Sequence, residues 1–145
     1  MIAVDTNVLV YAHRRDASWH GPAARAVRGL AEGPAAWALP WPCVHEFLAI
    51  VTHPRIFDPP TPLAAASDQV AAWLESPGVT LLAEAPGYWD ILAPVLGAAK
   101  VSGPRIHDAR IAALCLHHGV RELWSADRDY SRFPGLTVRN PLVEP

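Results

Sequence analysis

The chain has 145 residues, is 51% hydrophobic, and sets 12 Lys/Arg against 14 Asp/Glu for a formal net charge of −2. That length suits one domain with a real core. No apolar run reaches the roughly 18 residues of a membrane span, and the charge offers no global basic field to nucleic acid.

No basic region precedes an apolar stretch at the start, so no secretory leader and a cytoplasmic location are expected. In that compartment Cys43 and Cys115 read as packed, reduced thiols rather than a disulfide. Residues 2–4, Ile-Ala-Val, predict a strand buried on both faces. Asp5 follows at the strand's carboxyl end, where open parallel α/β sheets bind ligands. Capping the next helix is the other role open to it.

A short helix is expected over residues 7–13, then a longer one over 18–32 with Ser18 as its cap and Ala24, Val27 and Leu30 at helical spacing. Residues 36–39 form the second strand, and Pro40-Trp41-Pro42 presets a helix start. In the helix over 43–52, Val44, Phe47, Leu48 and Val51 make an apolar stripe. Glu46 is the single acid beside that stripe, and burying it is costly unless something pairs with it. A Pro-rich connection leads to a helix over 62–75 with Val70, Trp73 and Leu74 inward. A third strand is expected over 79–83, then a helix over 89–100 containing Pro94.

Ser102-Gly103-Pro104 opens a helix at Arg105. Ile111, Ala112 and Cys115 follow Asp108 by three, four and seven residues, so its carboxylate heads an apolar stripe at the amino end, where the helix dipole favours negative charge. Gly119 closes that helix in a left-handed cap, with His117 and His118 as partners of its carboxyl end. A fourth strand over 122–125 runs into Asp127-Arg128-Asp129, again acids just past a strand end. A fifth strand is expected over 136–138. The alternation of strands and helices predicts a parallel sheet with helices on both faces, and strands one and four as neighbours would bring their ends together.

Asp5, Glu46, Asp108 and Asp127 thus each sit at a strand end or beside an apolar helical stripe, with Asp129 a fifth candidate. Acids such as Asp16, Asp58, Asp68, Glu75 and Glu144 read as solvated. Two unit charges 4 Å apart repel by about 4 kcal/mol at an effective dielectric near 20. Converging carboxylates therefore protonate or hold a cation, and an oxygen-only set favours Mg²⁺ or Mn²⁺. Arg14, Arg15 and Arg110 are candidate phosphate contacts, though loop arginines are ordinarily solvated. The tryptophans, Trp19 and Trp41 included, read mostly as core or interface, with base stacking the lesser reading.

Four stretches in order carry a family resemblance: Val4-Asp5-Thr6-Asn7-Val8-Leu9, Glu46 on the third helix, His107-Asp108-Ala109-Arg110-Ile111-Ala112-Ala113, and Ser125-Ala126-Asp127-Arg128-Asp129-Tyr130, closed by Asn140-Pro141-Leu142. The chain resembles a PIN-domain ribonuclease, specifically the VapC toxin of a bacterial VapBC toxin–antitoxin pair. Tyr130 stands where Phe is usual, and the connection over 54–62 is long.

The resemblance implies a three-layer α/β/α fold with a five-stranded parallel sheet, a single PIN domain over 1–142 and a short tail over 143–145. It implies Mg²⁺- or Mn²⁺-dependent cleavage of RNA to 5′-phosphate and 3′-hydroxyl ends. Asp5 and Asp108 would be the principal metal ligands. Glu46 and Asp127 would complete the acidic site, with Asp129 as an outer or second-ion group and Thr6 and Ser125 as orienting hydroxyl donors. The implied partners are the RNA substrate, a VapB-type antitoxin and a second copy of the chain, with operator DNA reached through the antitoxin and no membrane.

Two other readings exist. A degenerate PIN module would bind RNA or protein without cutting, which the intact acids argue against. An aspartyl-phosphate phosphatase needs a second Asp two residues after Asp5, where Asn7 stands, and a catalytic lysine, whereas the chain's only lysine is Lys100.

Overall fold

The run Ile2–Val4 forms β1, and its last two residues, Ala3 and Val4, are wholly buried, as a strand covered on both sides requires. A computed structural model of the chain describes residues 1–143; Glu144 and Pro145, the end of the expected tail, lie outside the described residues. After β1 come α1 (Thr6–His13), α2 (His20–Glu32), β2 (Trp37–Pro40), α3 (Trp41–Val51), α4 (Leu63–Leu74), β3 (Val79–Leu82) and α5 (Tyr88–Ala99). A 3-10 turn, Gly103–Arg105, leads into α6 (Ile106–His117) and β4 (Glu122–Trp124). A second 3-10 turn, Arg128–Arg132, precedes β5 (Thr137–Arg139).

The five strands make one parallel sheet in the order β3-β2-β1-β4-β5. From β1 the chain winds outward through β2 to β3, then returns to β4 on the other side of β1. Right-handed crossovers place α1–α4 on one face and α5–α6 on the other, which gives the three-layer α/β/α arrangement. The reversal makes the β1–β4 junction the topological switch point of the sheet. One buried cluster joins the layers, from Val8, Leu9, Phe47 and Trp73 on one side through Trp37 and Leu39 to Ile111 and Leu114 on the other. Among the described residues no helix is long and apolar enough to cross a membrane.

Several local expectations shift. Ser18 does not cap α2: turn bonds from Ala17 N–H to Arg14 O and from His20 N–H to Ala17 O delay the helix, and Trp19 becomes its N-cap without a side-chain bond. Trp19 is also 44% exposed rather than packed. Leu74 points outward, because Ala66, Val70 and Trp73 already fill the face of α4 that meets α3. Leu48 is only half-buried beside the stripe of Val44, Phe47 and Val51. Pro94 sits within α5 on its exposed side, where water can take up the carbonyl it frees.

Candidate acidic site

The switch point places Asp5 and Ser125 side by side, each one residue past its strand. Asp5 N–H donates to Trp124 O at 2.9 Å, which continues the β1–β4 pairing to the mouth of the sheet. Both roles considered for Asp5 turn out compatible in place. It caps α1, Oδ1 accepting from Thr6 N–H at 2.8 Å, and it faces the other acids.

Asp5 is only 4% exposed. Its Oδ2 accepts from the Ser125 hydroxyl at 2.7 Å and from Asn7 Nδ2 at 3.3 Å. Oδ1 also accepts from the Cys43 thiol at 3.6 Å and from the Tyr130 hydroxyl at 3.5 Å. Burial pushes the carboxyl up from its ordinary 3.8 to about 6, aided by the charge of Glu46 and opposed by the bonds from Ser125 and Thr6. Burial and the neighbouring carboxylates hold the Cys43 thiol and the Tyr130 hydroxyl far above their ordinary values, so both remain neutral donors.

The other acids arrive from separate elements. Glu46, half-buried on α3, accepts from the Thr6 hydroxyl at 2.9 Å. Asp108, half-buried in the first turn of α6, has its carboxyl raised first by burial, then by the charge of Asp127, with Asp129 and Glu46 adding and Arg105 opposing. Asp127 caps the second 3-10 turn by accepting from Asp129 N–H at 2.9 Å, and its own N–H donates to Ser125 Oγ at 3.0 Å. Asp129 is paired with Arg105, whose guanidinium holds its carboxyl below the usual range. All five acids, with Thr6 and Ser125, are therefore at one mouth, and Glu46 is within electrostatic reach of both Asp5 and Asp108.

Among the described residues no three His, Cys, Asp or Glu side chains form a ready-made cation cage. Mg²⁺ in general keeps several waters and uses one or two carboxylates together with substrate phosphate. The donor set is all oxygen, so the residues present fit a hard divalent cation.

Four contributors escaped the reading of the sequence. Asn7 ties the two strand ends, donating to Ser125 Oγ at 3.2 Å and accepting from Ala126 N–H at 3.1 Å. Its position two residues after Asp5 was the available signal. Cys43 read as a packed thiol, Tyr130 as a residue standing where Phe is usual, and Arg105 as the first residue of a helix. Of the loop arginines, Arg14 is engaged by Asp16, Pro59 O and Phe57, and Arg110 by Glu84, whereas Arg15 is exposed. His118 Nε2 donates to Ala83 O at 2.7 Å, across to the end of β3 rather than along its own helix.

The sequence pattern of the PIN domain matches residues 2–136. Ribonuclease VapC48 of Mycobacterium tuberculosis is 34% identical over 138 residues, covering 95% of each chain. Ribonuclease VapC43 of the same organism is 34% identical over 142 residues, covering 98% of this chain and 96% of the relative. Among solved structures, the fold is similar to VapBC2 from Rickettsia felis bound to a DNA fragment from their promoter (TM-score 0.71, 15% identity, 97% and 98% of the two chains). It is similar also to Mycobacterium tuberculosis VapC20, a sarcin–ricin loop cleaving toxin (TM-score 0.67, 18% identity, 94% and 98%).

Proposed function

Since the chain belongs to the PIN-domain family, and to its VapC ribonuclease branch, we propose that it is the toxin of a type II toxin–antitoxin pair, an endoribonuclease that hydrolyses RNA phosphodiester bonds with Mg²⁺ or Mn²⁺. The observation that carries this reading is the gathering of Asp5, Glu46, Asp108 and Asp127 at the β1–β4 mouth, with the Asp108 carboxyl raised first by burial and then by the charge of Asp127. A single PIN domain over 1–142 and a cytoplasmic location belong to the same reading.

Asp5 and Asp108 are the residues that would hold the ion, with Glu46 and Asp127 completing the site directly or through water. A bound divalent cation supplies charge neutralisation for the phosphate and a lowered pKa for attacking water. The chain's part is orientation and charge. The Ser125 hydroxyl and Thr6 N–H fix the plane of the Asp5 carboxylate, and the Thr6 hydroxyl fixes Glu46. Burial of Asp5 leaves it little freedom to turn away, so the geometry is set before substrate arrives. Asp129 stays outside this set, occupied by Arg105.

The test is cleavage of RNA with Mg²⁺ or Mn²⁺ and with EDTA, followed by analysis of the ends. Cleavage that EDTA stops, leaving 5′-phosphate and 3′-hydroxyl ends, supports the reading. RNA bound but uncut in every metal would mean a binding module. Ser125→Ala, which removes the 2.7 Å bond to Asp5, should lower kcat by roughly 10- to 100-fold with the fold intact. Ser125→Thr should recover most of it; equal rates for parent and alanine variant would remove Ser125 from the machinery.

The partners follow from two surfaces. A groove of about 590 Å³ between α1, α2 and α4 is walled by Val27, Ala31 and Trp73, with Arg28 and Glu75 on its lining. It suits the amphipathic tail of a small antitoxin, through which operator DNA would be reached. α5 is mostly apolar yet has no buried residue, and Trp89 on it is 65% exposed. That face suits a second copy of the chain. Trp89→Glu is expected to turn a dimer into a monomer in light scattering after gel filtration; a dimer unmoved by it would put the interface elsewhere.

A further inference from the structure

We propose that the cavity between the end of α5 and the start of α6 is a phosphate subsite for RNA, in which Lys100, Arg105 and Arg132 hold the phosphate next to the one being cut. This rests on the nuclease reading above and names how the substrate is held. The cavity has a volume of about 640 Å³, and Asp108 and Asp129 form the wall it shares with the acidic mouth.

The argument starts from charge. RNA approaching five carboxylates is repelled, and a chain of net charge −2 offers no general attraction. Side-chain cations beside the acids would offset that repulsion together with the divalent ion. Three of the chain's 12 Lys/Arg, the only lysine included, line this one cavity. Two of the other arginines near loops are engaged elsewhere, Arg14 by Asp16 and Arg110 by Glu84.

Arg105 is the centre of the arrangement. It feels the charges of Asp129, Asp108 and Asp127 together, and its partner Asp129 is a half-exposed carboxylate that solvent can replace. A phosphate offers the same guanidinium a bidentate, doubly charged-assisted contact. Exchange of Asp129 for phosphate would join the subsite to the acidic mouth, since Asp129 N–H already bonds Asp127.

Lys100 supplies an independent sign. It closes α5 in the left-handed region, at φ 53°, the single non-glycine residue of positive φ among the described residues. Glycine is the usual occupant of such a cap because it escapes the clash a side chain meets there. A lysine at that position costs backbone stability and places a cation at the cavity.

Binding of a labelled single-stranded RNA is measured by fluorescence anisotropy in EDTA across a KCl series, with melting temperatures for every variant. Arg105→Ala, Arg132→Ala and Lys100→Gly should each weaken binding by about three- to tenfold and reduce the slope of log affinity against log salt by about 0.7. Lys100→Gly should do so with an equal or higher melting temperature, because glycine fits the left-handed cap, which separates lost charge from lost fold. Arg105→Lys should restore the slope. In cleavage assays with Mg²⁺, Arg132→Ala and Lys100→Gly should raise KM with kcat near the parent's. A parent that binds and cuts RNA while these variants keep its slope and KM overturns the subsite and leaves the nuclease reading standing. An equal loss in Arg25→Ala, on the exposed side of α2, would mean diffuse attraction and also overturns it. A parent that neither binds nor cuts RNA ends both.

Discussion

Asp108→Asn is expected to abolish RNA cleavage, by about a thousandfold or more, and to relieve growth arrest in cells while the chain stays folded. The substitution keeps the shape of the side chain and removes its charge. Asp108 heads the buried stripe of α6 but is itself only half-buried, so no cavity opens. Its carboxyl is already raised by burial and by Asp127, Asp129 and Glu46, so the charge is not what holds the fold. At neutral pH the neutral amide removes repulsion, and the melting temperature of the metal-free variant should equal or exceed the parent's. The large loss therefore falls on activity alone. A folded Asp108→Asn that cuts RNA as fast as the parent would refute the assignment of the site.

The second large effect is on stability, and it couples pH to metal. Asp5 has a folded value of about 6 against an ordinary 3.8. The protonated form is favoured by the fold, so this stability is present at low pH and is lost as pH rises through about 6. Asp108 acts in the same direction. The lowered carboxyls of Asp16, Glu84 and Asp129 act oppositely, but only below their ordinary range. Between about pH 4 and pH 6 the metal-free chain should therefore lose stability as pH rises, with Asp5 alone contributing roughly 3 kcal/mol. In Asp5→Asn that slope should flatten. At pH 7 a cation at 100 times its Kd adds about 2.7 kcal/mol, worth roughly 5–10 °C in a domain of this size. Calorimetry in EDTA and in Mg²⁺ checks both. A melting temperature indifferent to Mg²⁺ and Mn²⁺ would mean that the carboxylates do not hold an ion.

Stability and catalysis are thereby set against each other at one point. Asp5 is fixed by Thr6, Asn7, Ser125, Cys43 and Tyr130 rather than by a cation. The fold carries the electrostatic strain of a buried carboxylate in exchange for a group that is already aimed.

Much of this was legible in the order of residues. Period and run length placed all five strands and the helices within a few residues, because the burial that shapes an element also dictates its apolar spacing. Asp5, Glu46, Asp108 and Asp127 were legible as acids in positions where an unpaired charge is costly. The misses were local competitions. Ser18 lost the cap of α2 to a preceding turn, and Leu74 lost its place in the core to Trp73, outcomes that depend on neighbours distant in the chain.

What the linear chain suggested by itself is the kind of chemistry: oxygen donors, with no thiol or imidazole cluster at ligand spacing. Only the folded chain decided which partners each acid meets. Bonds from residues 38, 120 and 125 positions away surround Asp5, and the Arg105–Asp129 pair joins two separate turns. Backbone spacing is a local property, readable over a few residues, whereas desolvation and Coulomb energy act through space and exist only once a sheet has brought its strand ends together.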